Sequence, residues 1–171
     1  FQWDVDYRAV VGVPIEGSTL DAKDVSTGIV FERNGLRVTA FAVEHMPIDL
    51  ETRELLEFEG ETLGYRIDYQ GRSLVLSGDT RPSDTLVEHA RGVDVLVHEA
   101  QVPSPGATRE ANLANVSLSV HAEPEAVGRI FERTRPRLAV YSHIIPPEAS
   151  SEELLAATPY RGRMIVAHDL M

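Results

Sequence analysis

Five places along the chain put a histidine or a carboxylate directly behind an apolar, β-rich segment. Glu44-His45 follows Leu36–Val43, Ser77-Gly78-Asp79-Thr80 follows Ser73–Leu76, and His98-Glu99 follows Val93–Val97. Ser142-His143 follows Leu138–Tyr141, and His168-Asp169 follows Met164–Ala167. In α/β sheets ligands bind beyond the carboxyl ends of strands, and parallel strands bring those ends to one edge. Imidazoles and carboxylates meeting there form a donor set for a hard or borderline cation. The chain has no cysteine, which excludes disulfides, a thiol nucleophile and thiolate ligands. A metal must therefore be held by His, Asp and Glu, a set that suits zinc, manganese or iron.

Each of these residues also has a plainer reading. A lone histidine at a strand end is more often a hydrogen-bonded structural residue than a ligand. An aspartate after glycine is often a turn residue or a helix cap. His89 falls on a predicted helix and reads as a surface residue.

The elements that must position these groups are legible from Leu36 onward. Leu36–Val43 is a strand rich in β-branched and apolar residues. Leu63–Tyr69 and Ser73–Leu76 are strands joined by a hairpin turn at Gln70-Gly71. Pro82 starts a helix at its first position, with Leu86, Val87 and Ala90 on its apolar face. Val93–Val97 is a buried strand. Pro124 starts a second helix with Ala126, Val127, Ile130 and Phe131 on one face. Leu138–Tyr141 is a strand, Glu148–Ala157 a helix behind Pro146-Pro147, and Met164–Ala167 the last strand. Before this, Tyr7–Val13 and Gly28–Glu32 read as short strands around a polar stretch, and Glu51–Glu61 as a helical turn or loop. Alternating strands and helices predict an α/β layered domain with partly parallel strands.

Composition sets the limits. The 171 residues suffice for one domain with one core, and 43% hydrophobic with 25% charged residues is ordinary for a globular domain. No apolar run approaches the ~20 residues of a membrane helix. The net charge of −11 repels phosphate backbones, and the basic residues form no patch. A nucleic-acid substrate is therefore disfavoured. The compartment is open, with the cytoplasm favoured.

At Glu44-His45, Gly64-Tyr65-Arg66-Ile67, Ser77-Gly78-Asp79-Thr80 and His98-Glu99-Ala100 the chain resembles the metallo-β-lactamase superfamily, in its ribonuclease Z and arylsulfatase-like branch. An isolated His121 and a late Ser142-His143 complete the order, so the resemblance covers roughly residues 28–171. It implies a metallo-β-lactamase-like αββα sandwich and a binuclear hydrolase in which metal-activated water attacks the substrate. His45 resembles a histidine of the first metal site, Asp79 the carboxylate that bridges both metals, and His143 the terminal histidine of the second. His121 resembles a histidine that acts as proton donor. His98 and Glu99 resemble a pair behind the ligands that orients them, with a satisfied core histidine as the alternative for His98.

Two departures matter. The family's H-x-H-x-D-H motif, which supplies two ligands to each metal, is absent from residues 1–171. The expectation is an incomplete domain: the C-terminal part of a hydrolase, with weak or no metal binding and little activity of its own. Second, Asp68-Tyr69-Gln70-Gly71-Arg72 stands where ribonuclease Z carries a long tRNA-gripping insert. With the acidic charge, this argues against tRNA and for a small-molecule phosphodiester, sulfate ester, or carboxylic ester or lactone.

The rival readings are an inactive fragment and a non-catalytic α/β binding module. Asp79 could mimic the phosphoacceptor of a receiver domain, but the only lysine is Lys23, in an early polar stretch. Without the partner sheet of a complete sandwich, an apolar sheet face is expected to be open. A homodimer burying that face is the expected assembly.

Overall fold

The computed structural model describes residues 2–14, 23–46, 52, 60–103, 120–146 and 149–168. The elements are α1 (Gln2–Val11), β1 (Gly28–Arg33), β2 (Leu36–Val43), β3 (Thr62–Tyr69), β4 (Arg72–Leu76), α2 (Asp84–Ala90), β5 (Val95–Gln101), α3 (Pro124–Thr134), β6 (Leu138–Ile145), α4 (Ser151–Ala157) and β7 (Met164–Val166). The seven strands form one sheet whose spatial order equals the chain order. The pairs from β1 to β4 are antiparallel, and those from β4 to β7 are parallel.

This change of sense follows from the connections. Gln70 and Gly71 both adopt left-handed backbone, with φ of 48° and 74°. Two such residues match the twist of a tight hairpin, so β3 turns straight back into β4. After β4 each connection carries a helix, which returns the chain to the same end of the sheet and makes the next strand parallel. The helices α2, α3 and α4 pack against the sheet and one another. Leu86, Val87, Val127, Ile130, Phe131 and Leu154 from the helices meet Phe41, Val75, Leu96, Ala139 and Tyr141 from the strands in one buried core.

The opposite face is also apolar. Ala40, Tyr65, Leu76, Val97, Val140 and Ile165 align in register across six strands. Alternation along each strand places this row away from the core that α2–α4 cover. No helix among the described residues is long and apolar enough to cross a membrane.

Several elements depart from the sequence reading. Residues 7–11, expected in a strand, belong to α1. Its end is a Schellman-type stop: Gly12 has φ of 73°, and Val13 N–H donates to Arg8 O at 3.1 Å. Pro82 lies before the helix, because Ser83 is the N-cap and its hydroxyl accepts from Leu86 N–H. The helix expected from Glu148 starts at Ser151 behind the Ser150 cap. The fifth and sixth strands run further than expected, so His98, Glu99, Ser142 and His143 lie within strands rather than beyond them. Of Glu51–Glu61, residues 51 and 53–59 lie outside the described residues, as does Asp169.

Candidate metal centre

The end of β2 and the loop after β4 are stitched together by backbone. Glu44 N–H donates to Thr80 Oγ1 at 2.9 Å, and Arg81 N–H to Glu44 O at 2.8 Å. His45 N–H donates to Thr62 Oγ1 at 3.3 Å, and that hydroxyl donates to Val43 O at 2.8 Å. His45 and Asp79 are thus carried on two loops that share hydrogen bonds.

Each residue of Ser77-Gly78-Asp79-Thr80 has a physical task. Ser77 N–H donates to Val97 O at 3.0 Å, and its hydroxyl accepts from Glu99 N–H at 3.3 Å. Gly78 has φ of 62°, and a Cβ there would stand 2.9 Å from Leu63 O. Only glycine makes this turn without strain. Thr80 ties the loop back to β2, and Asp79 is left half-exposed at the tip.

Glu99 is the hidden support. Its side chain is 2% exposed, and Oε1 accepts from both Thr80 N–H at 3.2 Å and Ala122 N–H at 3.0 Å. One carboxylate oxygen therefore holds the Asp79 loop and the loop that bears His121. The other oxygen, Oε2, faces His121 Nδ1 at 3.4 Å. The alignment falls short of a hydrogen bond, and both atoms are buried without another partner.

His143 reaches the same place by an irregularity. Between His98 and Ala100 on β5, the paired strand β6 advances from Tyr141 to Ile144, so β6 carries one extra residue. His143 adopts left-handed backbone there, with φ of 47°. A bulge of this kind re-aims a side chain that regular pleating would direct elsewhere. His143 Nε2 ends 3.3 Å from Asp79 Oδ2.

The result is one cluster. A donor atom from each of His45, Asp79 and His121 lies within 4.8 Å of the others. The His45 and His121 rings are 5.1 Å apart, and those of His121 and His143 6.1 Å. Burial, then the His121 charge, lowers the pKa of His45, against the opposing pull of Asp79 and Glu99. A neutral imidazole is the form that binds a metal. Burial also pulls His121 down, but its contact with Glu99 and the charges of Glu99 and Asp79 outweigh that, and its pKa is raised.

The other histidines lie elsewhere. His98 is fully buried, with Nδ1–H donating to Glu99 O at 2.7 Å and its ring edge-on to Phe131. It points into the core, and Nε2 has no partner. His89 is not a plain surface residue: its ring stacks on Phe41 at 4.4 Å. His168 is exposed and lines a cleft of about 440 Å³ with Ser142, His143, Ser151 and Ala167. Thr62 was invisible as a site residue in the sequence, since a threonine at the start of a strand carries no signal. Thr80 was visible only as part of its motif.

The profile of the β-lactamase superfamily domain matches residues 7–144. The chain belongs to the metallo-β-lactamase superfamily. Among curated relatives of this superfamily member, ribonuclease Z of Mycobacterium avium (strain 104) is 27% identical over 172 residues, covering 98% of the chain and 58% of the relative. The chain thus spans about 58% of that relative's length. Among solved structures, the metallo-β-lactamase fold protein YhfI from Bacillus subtilis aligns with a TM-score of 0.58 at 15% identity, over 80% of this chain and 48% of that one. Human tRNase Z, short form, aligns with a TM-score of 0.53 at 18% identity.

For the human protein, the aligned region is 84% of this chain and 44% of that one. At these identities the structural likeness speaks for the fold alone, and it agrees with the sheet and helices described above.

The donor chemistry fits the divalent metal that the superfamily implies. Two imidazoles and a carboxylate converge, and His121 Nδ1 and Glu99 Oε2 are buried polar atoms that still lack a partner. The nearby cation Arg81 is paired with Glu44 at 3.3 Å.

Proposed function

We propose that the chain carries the C-terminal share of the active site of a metal-dependent hydrolase. The observation that supports this reading is the convergence of His45, Asp79 and His121, with His143 3.3 Å from Asp79. In the complete site His45, Asp79 and His143 would hold the metal, His45 and His143 as imidazole ligands and Asp79 as the carboxylate ligand. Zinc is the first choice, with manganese or iron also compatible with nitrogen and oxygen donors. Bound metal supplies a water activated near neutral pH and a positive clamp on the scissile ester.

The chain's own residues do the rest. His121 is placed to hand a proton to the leaving group. Glu99 favours the protonated form of His121 and fixes the loop that carries it. The cleft between His143 and His168 has the size of a small-molecule site. The substrate is then a small phosphodiester, sulfate ester, or carboxylic ester or lactone. The ribonuclease Z relatives support a phosphoester, while the net charge of −11 disfavours tRNA.

The test compares this chain with a domain of the relatives' full length. Substrates are bis-para-nitrophenyl phosphate, para-nitrophenyl sulfate and para-nitrophenyl acetate, with zinc or manganese. The longer domain should turn over one class, and Asp79→Ala should abolish that turnover. The 171-residue chain alone should show little or none, because it lacks the H-x-H-x-D-H ligands. Turnover indifferent to chelator and to Asp79→Ala would overturn the proposal.

A further inference from the structure

We infer that His121 is itself a metal ligand in this chain, completing a mononuclear site with His45 and Asp79. The inference rests on the reading that this cluster binds metal, and it changes what the chain can do alone. Counting His45, Asp79 and His143 as the surviving ligands leaves two incomplete shells. Counting His121 gives one complete triad, since two histidines and a carboxylate are a full protein ligand set for an open zinc or iron site.

Geometry separates His121 from His143. The donors of His45, Asp79 and His121 lie within 4.8 Å of one another. Two donors at ~2.1 Å from one zinc stand ~3.4 Å apart in a tetrahedron. The closure required is within reach of the Asp79 side chain, which is 41% exposed. His143 approaches Asp79, but its side chain is 55% exposed and it does not join the mutually close set.

The second observation is behind the ring. With Nδ1 turned to the buried Glu99 carboxylate, Nε2 is the nitrogen left for the cluster. A carboxylate behind a histidine is the arrangement that fixes the tautomer and raises the basicity of a metal ligand. The orphaned pair at 3.4 Å becomes useful once Nδ1–H donates to Glu99 and Nε2 gives its lone pair to a cation. In that state His121 carries no proton on Nε2, the nitrogen that faces the cluster. Its two roles exclude each other, and a fuller ligand set would free it for proton donation.

The test is metal titration of the purified 171-residue chain, by calorimetry with zinc and by visible absorption with cobalt. The expected result is one equivalent bound, with the intense cobalt bands of a low-coordinate site. His45→Gln, Asp79→Asn and His121→Gln should each weaken binding roughly tenfold or more, as loss of metal-site residues does, while His143→Gln should leave it nearly unchanged. If His121→Gln binds like the parent while His45→Gln does not, the metal reading stands and this inference falls. If the parent chain takes up no metal, the inference falls, and the full-length assay above decides the hydrolase reading separately. Should His121→Gln fail to fold, the imidazole nitrogen resonances of the parent decide. A shift of His121 Nε2 on zinc addition supports coordination, and an unmoved resonance in a metal-loaded chain overturns it.

Discussion

Glu99 Oε2 and His121 Nδ1 face each other at 3.4 Å, both shut away from solvent. This contact favours the protonated form of His121. Burial alone would lower the His121 pKa, yet Glu99, aided by Asp79, raises it. A histidine with a raised native pKa adds stability below its unfolded value of 6.5, and that stability is lost as pH rises through the native pKa.

Glu99→Gln keeps the shape and can keep the Oε1 contacts to Thr80 and Ala122 while removing the charge. In the metal-free protein we expect the His121 pKa to fall, read from its ring proton shifts by NMR. The variant should also lose more stability at about pH 6 than at about pH 8, on either side of histidine's ordinary value. An unmoved His121 titration would show that Glu99 holds loops only.

Much of this frame can be read from residue order. Leu36–Val43 is bounded in the sequence as in the fold, and Gln70-Gly71 is the hairpin turn that its residues suggest. Local chemistry specifies both. The site is less legible because its decisive features are relations between distant segments. The bulge that re-aims His143 exists only in the register of β6 against β5. Glu99 reads as the end of a strand, while its role comes from loops 19 and 23 residues away. The β-branched residues Val10, Val11 and Val13 suggest a strand, but the stretch through Val11 is helical and stops at Gly12.

His98 predicts an acid response of the opposite sign to that of His121. Burial first of all lowers its pKa, against the Glu99 carbonyl and carboxylate. Below pH 6.5 the unfolded chain takes a proton that native His98 refuses, so stability falls as pH falls. His45 and His89, also lowered, act in the same direction. His98→Phe should cost about 1 kcal/mol at pH 8 for the lost hydrogen bond. It should also flatten the loss of stability on acidification, measured by urea unfolding across that range. Equal slopes in parent and variant would show that His98 does not report on pH.

Gly64 explains the glycine of Gly64-Tyr65-Arg66-Ile67. A Cβ there would stand 2.6 Å from Cε2 and Cζ of Phe41 and 3.1 Å from Leu76 O. Phe41 cannot easily yield, because His89 stacks on its ring. Gly64→Ala should therefore destabilise by about 1–3 kcal/mol, the usual cost of overpacking. The loss should shrink in a Phe41→Leu background, since the two sites are coupled. Additive losses in the double variant would mean that the clash is relieved another way.

The face of the sheet away from α2–α4 leads to the last expectation. Ala40, Tyr65, Leu76, Val97, Val140 and Ile165 form an apolar row across it, and Leu76 is 36% exposed. Phe31 pairs with Val38 beside this row and is 46% exposed. Within the row Ala40 and Val140 are buried and Tyr65, Val97 and Ile165 half-buried, so the exposed apolar patch centres on Leu76 and Phe31, and a patch of that kind marks an interaction site. A second copy of the chain offers the same surface, and a two-fold pairing buries both. We expect the 171-residue chain to sediment and scatter light as a dimer at low micromolar concentration. Leu76→Glu should shift it to monomer while leaving the helix-covered core intact, because a charge at this face cannot be buried without a partner. A parent chain that is monomeric and melts cooperatively would refute the dimer and show that the face is satisfied within one molecule.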